Sequence, residues 1–400
     1  MASALSVDLL DCVLHHLAPP LADHVYDLNA ERANQRELRA ASLVCRRWAE
    51  VAQRQLGWTV IVETLGDAVR LEQASPFDLA RVQSLTVELA PASVASVNAV
   101  HGVERHRAYA IVEAVINGMS ALRVTRISDA AVARRHAPDM RWGGEALVVQ
   151  ALEWRDWATE EPYNDVCEWL ASSLTRSPSV NRFSLLYDSS SATDTHPCPF
   201  DASVCGRLTA LSLGWIWEGV VVVAGNFPAP FFPHTLASLQ SLRIHLDYWH
   251  RWHGDDDEEA EDAKSRQHDP EAREVFGVRG CVTPCLESLW VGGSVWGFAV
   301  AFAAICIDLP PTLRHLELDG VLRRAAPTFT SALLNAVEAP HILPQLERLG
   351  VRLDWCPEEL VEAAEGGRQL QIDLGLLGPA CAKRGIRCDI EVDWPTSSSA

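Results

Sequence analysis

The chain has 400 residues, 48% of them hydrophobic and 22% charged, and its 34 basic and 53 acidic residues give a formal net charge of −19. This composition indicates a globular chain long enough for two or three domains, and it excludes collagen-like, wholly disordered and membrane-embedded classes. A charge so negative does not suit duplex nucleic acid or an anionic bilayer, so we expect neither nucleic acid nor a membrane as partner. The longest apolar run, Val295 to Ile307, is too short to cross a bilayer and predicts a buried helix.

The start of the chain and its cysteines both favour a reducing compartment. The first ten residues have no basic segment and carry Asp8 where a secretory signal would be uncharged. The 11 cysteines are scattered through a chain that can form a large core, so we expect buried thiols rather than a disulfide framework. We therefore expect a cytoplasmic or nuclear protein, or one found in both compartments.

Two amphipathic patterns open the chain and predict a helical region over residues 1–60. The first places apolar residues from Leu9 to Leu17 on one stripe of a helix. The second predicts a helix from about Glu37 to Leu56, with Leu38, Val51 and their apolar neighbours on one side. Sixty residues make a small core, so we expect a partner protein to complete it.

The motifs in this region resemble an F-box. Residues 5–17, LSVDLLDCVLHHL, resemble its opening pattern L-P-x-E-L-L-x-x-I-L-x-x-L, with Ser6 in the place of proline. Residues 43–48, LVCRRW, and the later Leu56-Gly57-Trp58 resemble its second half, after a link, Ala18 to Arg36, that is longer than usual. The resemblance covers about 15% of the chain. It implies that a Skp1-like adaptor binds these residues: Leu5, Leu9, Leu10, Val13, Leu14, Leu17, Leu43, Val44, Cys45 and Trp48.

Beyond residue 65 a nine-fold repeat of apolar-x-x-apolar-x-apolar segments predicts a leucine-rich-repeat array over residues 65–394. The middle residues of these segments are Leu85, Leu122, Leu152, Phe183, Leu211, Leu242, Leu289, Leu316 and Leu349. Their spacing is about 27 to 37 residues, as repeat proteins show, with one longer step of about 47. That step contains an acidic loop at about 253–272, and residues 395–400 are expected to be a disordered tail.

Helical patterns lie between these segments, at Ala108 to Met119, Tyr163 to Leu174, Val295 to Ile307, Phe329 to Val337 and Glu358 to Glu365. Strand and helix thus alternate once per repeat. We expect an α/β fold in which the helical F-box precedes a curved solenoid, with short parallel strands on its concave face and helices on its convex face.

Motifs for catalysis or metal binding are incomplete. Gly292-Gly-Ser294-Val-Trp296 lacks the last glycine of a nucleophile elbow. Cys281 and Cys285, with His268 upstream, have the spacing of only half a zinc site, and two buried thiols are the favoured interpretation. We expect no catalysis, no cofactor and no metal.

Recognition is the remaining chemistry. Residues between the buried ones of each strand point to the concave face, because side chains alternate along a strand. Arginine and tryptophan are favoured anchors at interfaces. The candidates for binding a target are Arg155, Arg182, Arg243, His245, Trp249, Trp252, Trp290, Glu317 and Arg352.

The resemblance implies a substrate receptor of an SCF-type (Skp1–cullin–F-box) ubiquitin ligase, which binds the adaptor, and through it a cullin, at one end and an unknown target protein along the repeats. Lys264 and Lys383 are the only lysines, so few sites for self-ubiquitination are expected. Two alternatives remain open: an F-box protein that acts as a scaffold without ligase activity, and a leucine-rich-repeat regulator, such as a GTPase modulator, without an F-box.

Overall fold

The structure is a computed structural model, and it describes residues 6–17, 27–89, 99–128, 130–152, 163–189, 200–218, 234, 236–249, 283–293, 309–322, 326–355 and 364–393. The chain divides into two compact units, residues 1–186 and residues 187–400. The predicted acidic loop, the predicted tail and the predicted helix at Val295 to Ile307 lie outside the described residues.

Unit 1 begins with three helices, α1 (Val7–Leu17), α2 (Leu28–Ser42) and α3 (Arg46–Leu56). The prediction of one helix from Glu37 to Leu56 was therefore wrong. The N–H groups of Leu43 and Val44 donate to carbonyls three residues earlier, at 3.1 Å each, which closes α2 with a tighter turn. Cys45 is then fully extended, with φ −165° and ψ 167°, so the chain leaves helical geometry before α3 begins.

The rest of unit 1 alternates short parallel strands with helices. Its elements are β1 (Thr59–Val62), α4 (Leu65–Glu72), α5 (Pro76–Leu79), β2 (Ser84–Val87), α6 (Ala99–Ile116), β3 (Val124–Ile127), α7 (Ala130–His136), β4 (Ala146–Leu152), α8 (Tyr163–Arg176) and β5 (Arg182–Ser189), which crosses the boundary of the unit. Strands β1 to β4 are adjacent and parallel in chain order. Helix α4 packs on α6, α6 on α7, and α7 on α8, so the helices follow one another as the strands do.

Unit 2 has longer strands, and among its described residues a helix precedes each of β6, β10 and β11. Its described elements are α9 (Ala202–Arg207), β6 (Ala210–Glu218), β7 (Ser241–Trp249), β8 (Ser288–Gly293), β9 (His315–Leu322), α10 (Ala326–Glu338), β10 (Arg348–Trp355), α11 (Ala364–Arg384) and β11 (Arg387–Asp393). Strands β6 to β11 are adjacent in chain order, and every pair is parallel. Parallel strands joined by helices confirm the α/β class.

A hydrogen-bond motif recurs at the start of the strands in both units. One carbonyl before a strand accepts N–H groups from two consecutive residues at the same place in the next repeat, as Trp58 does from Gln83 at 2.8 Å and Ser84 at 2.9 Å. The other carbonyls of this kind are those of Gln83, Arg123 and Glu145 in unit 1, and of Thr209, Gln240, Glu287 and Arg314 in unit 2, whereas the Glu347 carbonyl accepts the Arg387 N–H and the Ile386 N–H donates to Cys381. The architecture is therefore repetitive in its backbone bonding as well as in its sequence.

The predicted strand register is correct at most positions and wrong at two. Seven of the predicted middle residues are buried, and each is the second residue of its strand: Leu85, Phe183, Leu211, Leu242, Leu289, Leu316 and Leu349. In β3, however, the residue paired with Leu85 is Thr125 rather than Leu122, and in β4 it is Leu147, not Leu152, that pairs with Thr125. Thr125 is tolerated in the core because its hydroxyl donates to the Gly143 carbonyl at 3.0 Å.

Aromatic packing joins α8 to the segment between α7 and β4. The indoles of Trp142 and Trp169 meet edge to face, with ring centroids 6.3 Å apart. The Trp142 backbone N–H donates to the hydroxyl of Ser177 at 2.9 Å, and Trp169 Nε1 donates to the Ala137 carbonyl at 3.3 Å.

Among the helices in the described residues, none combines the length and the hydropathy that a membrane span requires.

Candidate interaction site

Side chains cap the starts of α1 and α2, whereas α3 begins at Cys45 without a side-chain cap. Ser6 accepts a hydrogen bond from the Leu9 N–H on its hydroxyl at 3.2 Å and another from the Leu10 N–H on its carbonyl at 3.0 Å. Ser6 therefore caps α1 at the position where the resembling motif has proline. Asp27 caps α2 in the same way, accepting the Ala30 N–H on its carboxylate at 2.9 Å.

Part of the predicted adaptor-binding set forms the core of this three-helix unit. The cluster consists of Leu10, Leu14, Leu38, Ala41, Val51 and Ala52, with Trp48 and Leu56 packed against it. Leu10 and Leu14 are fully buried. Their side chains hold α1 against α2 and α3, so they do not reach the surface as the sequence analysis expected.

Another part of the set is exposed. The exposed fractions are 47% for Leu9, 54% for Leu17, 86% for Leu43 and 56% for Val44, and we call these four residues the exposed apolar set. Leu43 and Val44 occupy the turn between α2 and α3, whereas Leu9 and Leu17 lie on α1 two turns apart. Of the remaining predicted residues, Val13, Cys45 and Trp48 are half-buried, and Leu5 lies outside the described residues.

A polar contact links α1 to α3. Gln55 Nε2 donates to Asp11 Oδ1 at 2.8 Å, and Arg54 Nη2 lies 3.0 Å from the same oxygen. These contacts and the shared core fix the relative positions of the helices that present the exposed apolar set.

Helix α2 also packs on the strands of unit 1 through a buried ion pair. Glu31 is 5% exposed and Arg126, on β3, is 2% exposed, and Glu31 Oε1 lies 3.8 Å from Arg126 Nη1. The Thr86 hydroxyl of β2 donates to Glu31 Oε2 at 2.8 Å, and Arg126 Nη1 donates to Ser84 Oγ at 2.6 Å. The face of β2 and β3 that was expected to be an open concave surface is therefore covered here by the helical region.

A second surface lies on β7 to β11 in unit 2, where the side chains between the buried leucines form two cross-strand rows. The first row contains Arg243, Trp290, Glu317, Gly350 and Asp389, and the second contains Gly292, Asp319, Arg352 and Glu391. We call these two rows the charged face. Most of its carboxylates and guanidinium groups are at least partly exposed.

The ring of Trp290 occupies the space beside Gly292, where a side chain would otherwise lie. The guanidinium carbon of Arg243 stacks 4.2 Å from the centroid of the Trp290 ring. A Cβ on Gly292 would lie 2.3 Å from the end of that ring and 2.7 Å from the Asp319 carbonyl, so only glycine fits there. Burial lowers the pKa of Arg243, while the charges of Glu317 and Asp319 act in the opposite direction.

Ion pairs cross the strands on the remainder of the face. Arg352 lies 3.0 Å from Glu391 and 3.5 Å from Asp319, and these contacts, the Glu391 hydrogen bond foremost, raise the pKa of Arg352. Asp389 is shared by Arg348 at 3.3 Å and Arg387 at 3.2 Å. Positive and negative groups alternate on this surface, so it can bind a partner whose charges have the complementary arrangement. Such complementarity contributes to specificity more than to affinity.

The structure brings four of the predicted target-binding residues together and not the others. Arg243, Trp290, Glu317 and Arg352 all lie on the charged face. Arg182 is half-buried at the start of β5, in unit 1. His245 and Trp249 belong to β7, although their side chains are not among those described, and Arg155 and Trp252 lie outside the described residues.

Residues that the sequence analysis missed include Arg387, Asp389 and Glu391 on β11. Their alternation with Cys388 and Ile390 was the available signal, since every second side chain of a strand shares a face. The Glu31–Arg126 pair had no comparable signal, because its two residues are far apart in sequence and belong to different elements.

The incomplete catalytic and metal motifs gain no support from the described residues. Cys285 is exposed in the turn before β8, so the expectation of a buried thiol was wrong for this residue, while Cys281 and His268 lie outside the described part of the chain. Within the described ranges, no group of three or more histidine, cysteine, aspartate or glutamate side chains could hold a metal ion. Gly292 of the glycine pair lies under Trp290.

Comparison with known proteins identifies no family. No protein-family model matches the chain, and no curated protein matches it. One solved structure, of a Bacteroides fragilis protein from a structural genomics programme, is similar over 81% of this chain and 68% of its own, with 13% identical residues and a TM-score of 0.37. A similarity at that level supports no argument about fold or function.

Proposed function

We propose that this chain is the substrate-recognition subunit of an SCF-type ubiquitin ligase. In this proposal the three helices of residues 6–56 bind a Skp1-like adaptor and the strand repeats bind a target protein. The chain itself does no chemistry. It acts by proximity, because a target held beside a ubiquitin-loaded enzyme presents its lysines at a high effective concentration.

The observation that supports adaptor binding is the exposed apolar set. Leu9, Leu17, Leu43 and Val44 belong to both halves of the F-box-like motif, and all four are exposed on one small helical unit. Burying one such side chain in an interface is worth about 1.5–3 kcal/mol. Large apolar side chains that are exposed to solvent often mark a site of protein contact. The position of these four residues within the motif favours that interpretation.

The observation that supports target binding is the charged face. It combines a half-buried arginine–tryptophan stack with exposed carboxylates and arginines on adjacent strands. Tryptophan and arginine are the residue types most enriched at energetically dominant interface positions.

The deciding experiment is capture of a purified Skp1-like adaptor by the full chain and by a Leu9→Asp/Leu43→Asp variant. Both side chains are exposed, so the variant should keep the circular dichroism spectrum and the melting temperature of the wild type. We expect it to lose adaptor binding. Leu14→Asp is unsuitable, because Leu14 is in the core and the variant would unfold the helices.

The matched control is Phe77→Asp. Phe77 is also a large exposed apolar residue of unit 1, but it lies on α5, outside the motif. We expect it to leave adaptor binding unchanged. Equal capture by all three proteins, or no capture by the wild type, would overturn the proposed adaptor contact and leave a repeat protein that regulates or scaffolds by other contacts.

Ubiquitin transfer separates a ligase from a scaffold. If the wild type binds the adaptor, a reconstituted complex with cullin, RING subunit and charged conjugating enzyme should transfer ubiquitin to a target captured on the repeats. Adaptor binding without transfer would favour the non-ligase scaffold. Point variants are preferable to deletion of residues 1–60, because that deletion would leave Arg126 without Glu31.

A further inference from the structure

Two cysteines meet at the junction between the last described helix and strand. Helix α11 ends at Arg384 and β11 begins at Arg387, so the chain reverses within two residues. Gly385 permits this reversal with a left-handed φ of +73°, and the Ile386 N–H donates to the Cys381 carbonyl at 2.9 Å. The turn places Cys381, in the last turn of the helix, beside Cys388, the second residue of the strand.

The thiols of these residues are in hydrogen-bond contact. Cys388 is paired in register with Leu349, whose side chain is fully buried, so the Cys388 side chain points to the core side of the sheet. Cys381 is fully buried, whereas Cys388 is half-buried. Cys388 is therefore the more accessible residue of the pair.

The two residues differ in burial, and their thiols influence each other's pKa. The hydrogen bond with Cys381 lowers the pKa of Cys388, against the opposing effects of burial and of Asp389. The same contact, together with burial, raises the pKa of Cys381. Cys388, the less buried of the two, is the sulfur that a small oxidant reaches first, and Cys381 is placed to attack it afterwards.

We propose that Cys381 and Cys388 are a dithiol site that hydrogen peroxide oxidises to an intramolecular disulfide. The Cys388 thiolate attacks one peroxide oxygen, the O–O bond breaks, and Cys388 sulfenic acid and hydroxide form. The Cys381 sulfur then attacks the Cys388 sulfur, the S–O bond breaks, and the thiol proton and the departing hydroxide leave as water. In total two thiols lose two electrons and two protons, and one peroxide becomes two waters. The reaction does not depend on the proposed ligase function.

The disulfide would tie α11 to β11, the strand that carries Asp389 and Glu391 of the charged face. The sulfurs must approach from hydrogen-bond contact to about 2.05 Å, a small movement for a helix end next to a glycine. A reducing agent reverses the bond, so the site is a reversible modification.

Peptide mapping of the full chain tests the proposal. The protein is treated with one equivalent of hydrogen peroxide, its remaining thiols are alkylated, and it is digested with trypsin without reduction. Trypsin cuts after Lys383, Arg384 and Arg387, so the two cysteines fall on different peptides. We expect one linked peptide pair that separates on reduction. Modification of the exposed Cys12 or Cys285 in preference to this pair would overturn the proposal.

Two variants make the test sharp. Cys388→Ser should abolish the linked pair and leave Cys381 reduced. Cys381→Ser should instead leave a sulfenic acid at Cys388 that dimedone traps. If Cys388 of the wild type is converted to sulfinic acid without a link to Cys381, or if the only disulfides formed are between molecules, the proposal is wrong.

Discussion

The least expected residues are a buried glutamate and a buried arginine. A charge transferred into a protein interior costs several kcal/mol unless a countercharge and hydrogen bonds compensate it. Glu31 receives the Thr86 hydroxyl at 2.8 Å and faces Arg126 at 3.8 Å, while Arg126 donates to Ser84 at 2.6 Å. The pair joins α2 to β2 and β3, so the helical region that carries the exposed apolar set is held by a specific polar contact.

Removing one member of this pair should destabilise the protein more than removing both. We expect Arg126→Met to lower the free energy of unfolding by about 3 kcal/mol, since Glu31 then stays buried without its countercharge. The double variant Glu31→Met/Arg126→Met should recover much of that loss. Urea titration followed by circular dichroism measures both.

The control for this prediction is Arg46→Met. Arg46 forms a similar pair with Glu50, at 3.3 Å, but on the solvent side of α3. Its loss should change the free energy of unfolding by no more than about 0.5 kcal/mol. Equal destabilisation in the single and double variants at Arg126 would contradict the argument.

His136 should make the stability of the protein depend on pH. Its pKa is lowered from 6.5, first by burial and then by the charges of Arg105, Arg135 and His106. The folded state thus binds the proton less readily than the unfolded state. The contribution of His136 to the free energy of unfolding is therefore fully present above about pH 6.5, where the imidazole is neutral in both states. This contribution is lost as the pH falls below that value towards the pKa of the folded state.

The measurement is the free energy of unfolding at pH 8, 7, 6 and 5 for the wild type and for His136→Gln. We expect the variant to lose less stability than the wild type between pH 7 and pH 5, because it lacks the titrating imidazole. Parallel curves for the two proteins over that interval would contradict the prediction.

At the scale of elements, two glycines leave space on the charged face for neighbouring side chains. Gly292 on β8 allows Trp290 to lie along its own strand, and Gly350 on β10 allows Glu317 of β9 to lean across to the next strand. The atoms that an added Cβ would meet differ between these two glycines. A Cβ at Gly292 meets both the indole and the Asp319 carbonyl, whereas a Cβ at Gly350 meets the flexible Glu317 side chain at 3.2 Å.

A series of glycine-to-alanine variants should follow this order. Gly292→Ala should lower the free energy of unfolding by about 2 kcal/mol and change the tryptophan fluorescence, because the ring must leave Arg243. Gly350→Ala should cost less, and Gly206→Ala on α9, which has nothing within 4 Å of the added methyl, should be neutral or slightly stabilising. Thermal unfolding and fluorescence spectra check the series, and a Gly292→Ala protein as stable as the wild type would count against it.

Strand prediction succeeded where burial alternates along the element and failed where it does not. In β9 the buried Leu316 and Leu318 are separated by exposed Glu317, so the period of two is visible in the sequence. In β4, Ala146 to Val149 are all buried, and a continuous apolar run does not reveal its register. β1 and α11 were missed, since β1 is only four residues long and α11 contains glycines and Pro379.

At the scale of the whole molecule, lysine is scarce, and this has a consequence under the proposed function. Lys383 is exposed in the last turn of α11, and Lys264 lies outside the described residues. In a reconstituted ligase we expect Lys383→Arg to reduce self-ubiquitination and Lys264→Arg/Lys383→Arg to abolish it. Mass spectrometry of the products identifies the sites. Continued modification of the double variant would show that other acceptors are used.

The sequence by itself determined the α/β class, the repeated strands, most of the buried leucines and the helical start of the chain. These features depend on the local periodicity of apolar residues, which a single chain displays directly. Only the tertiary structure decided that Leu10 and Leu14 are buried while Leu9 and Leu43 are exposed, that Glu31 meets Arg126, and that Cys381 lies beside Cys388. Each of these outcomes depends on which element packs against which, and local periodicity contains no information about that choice.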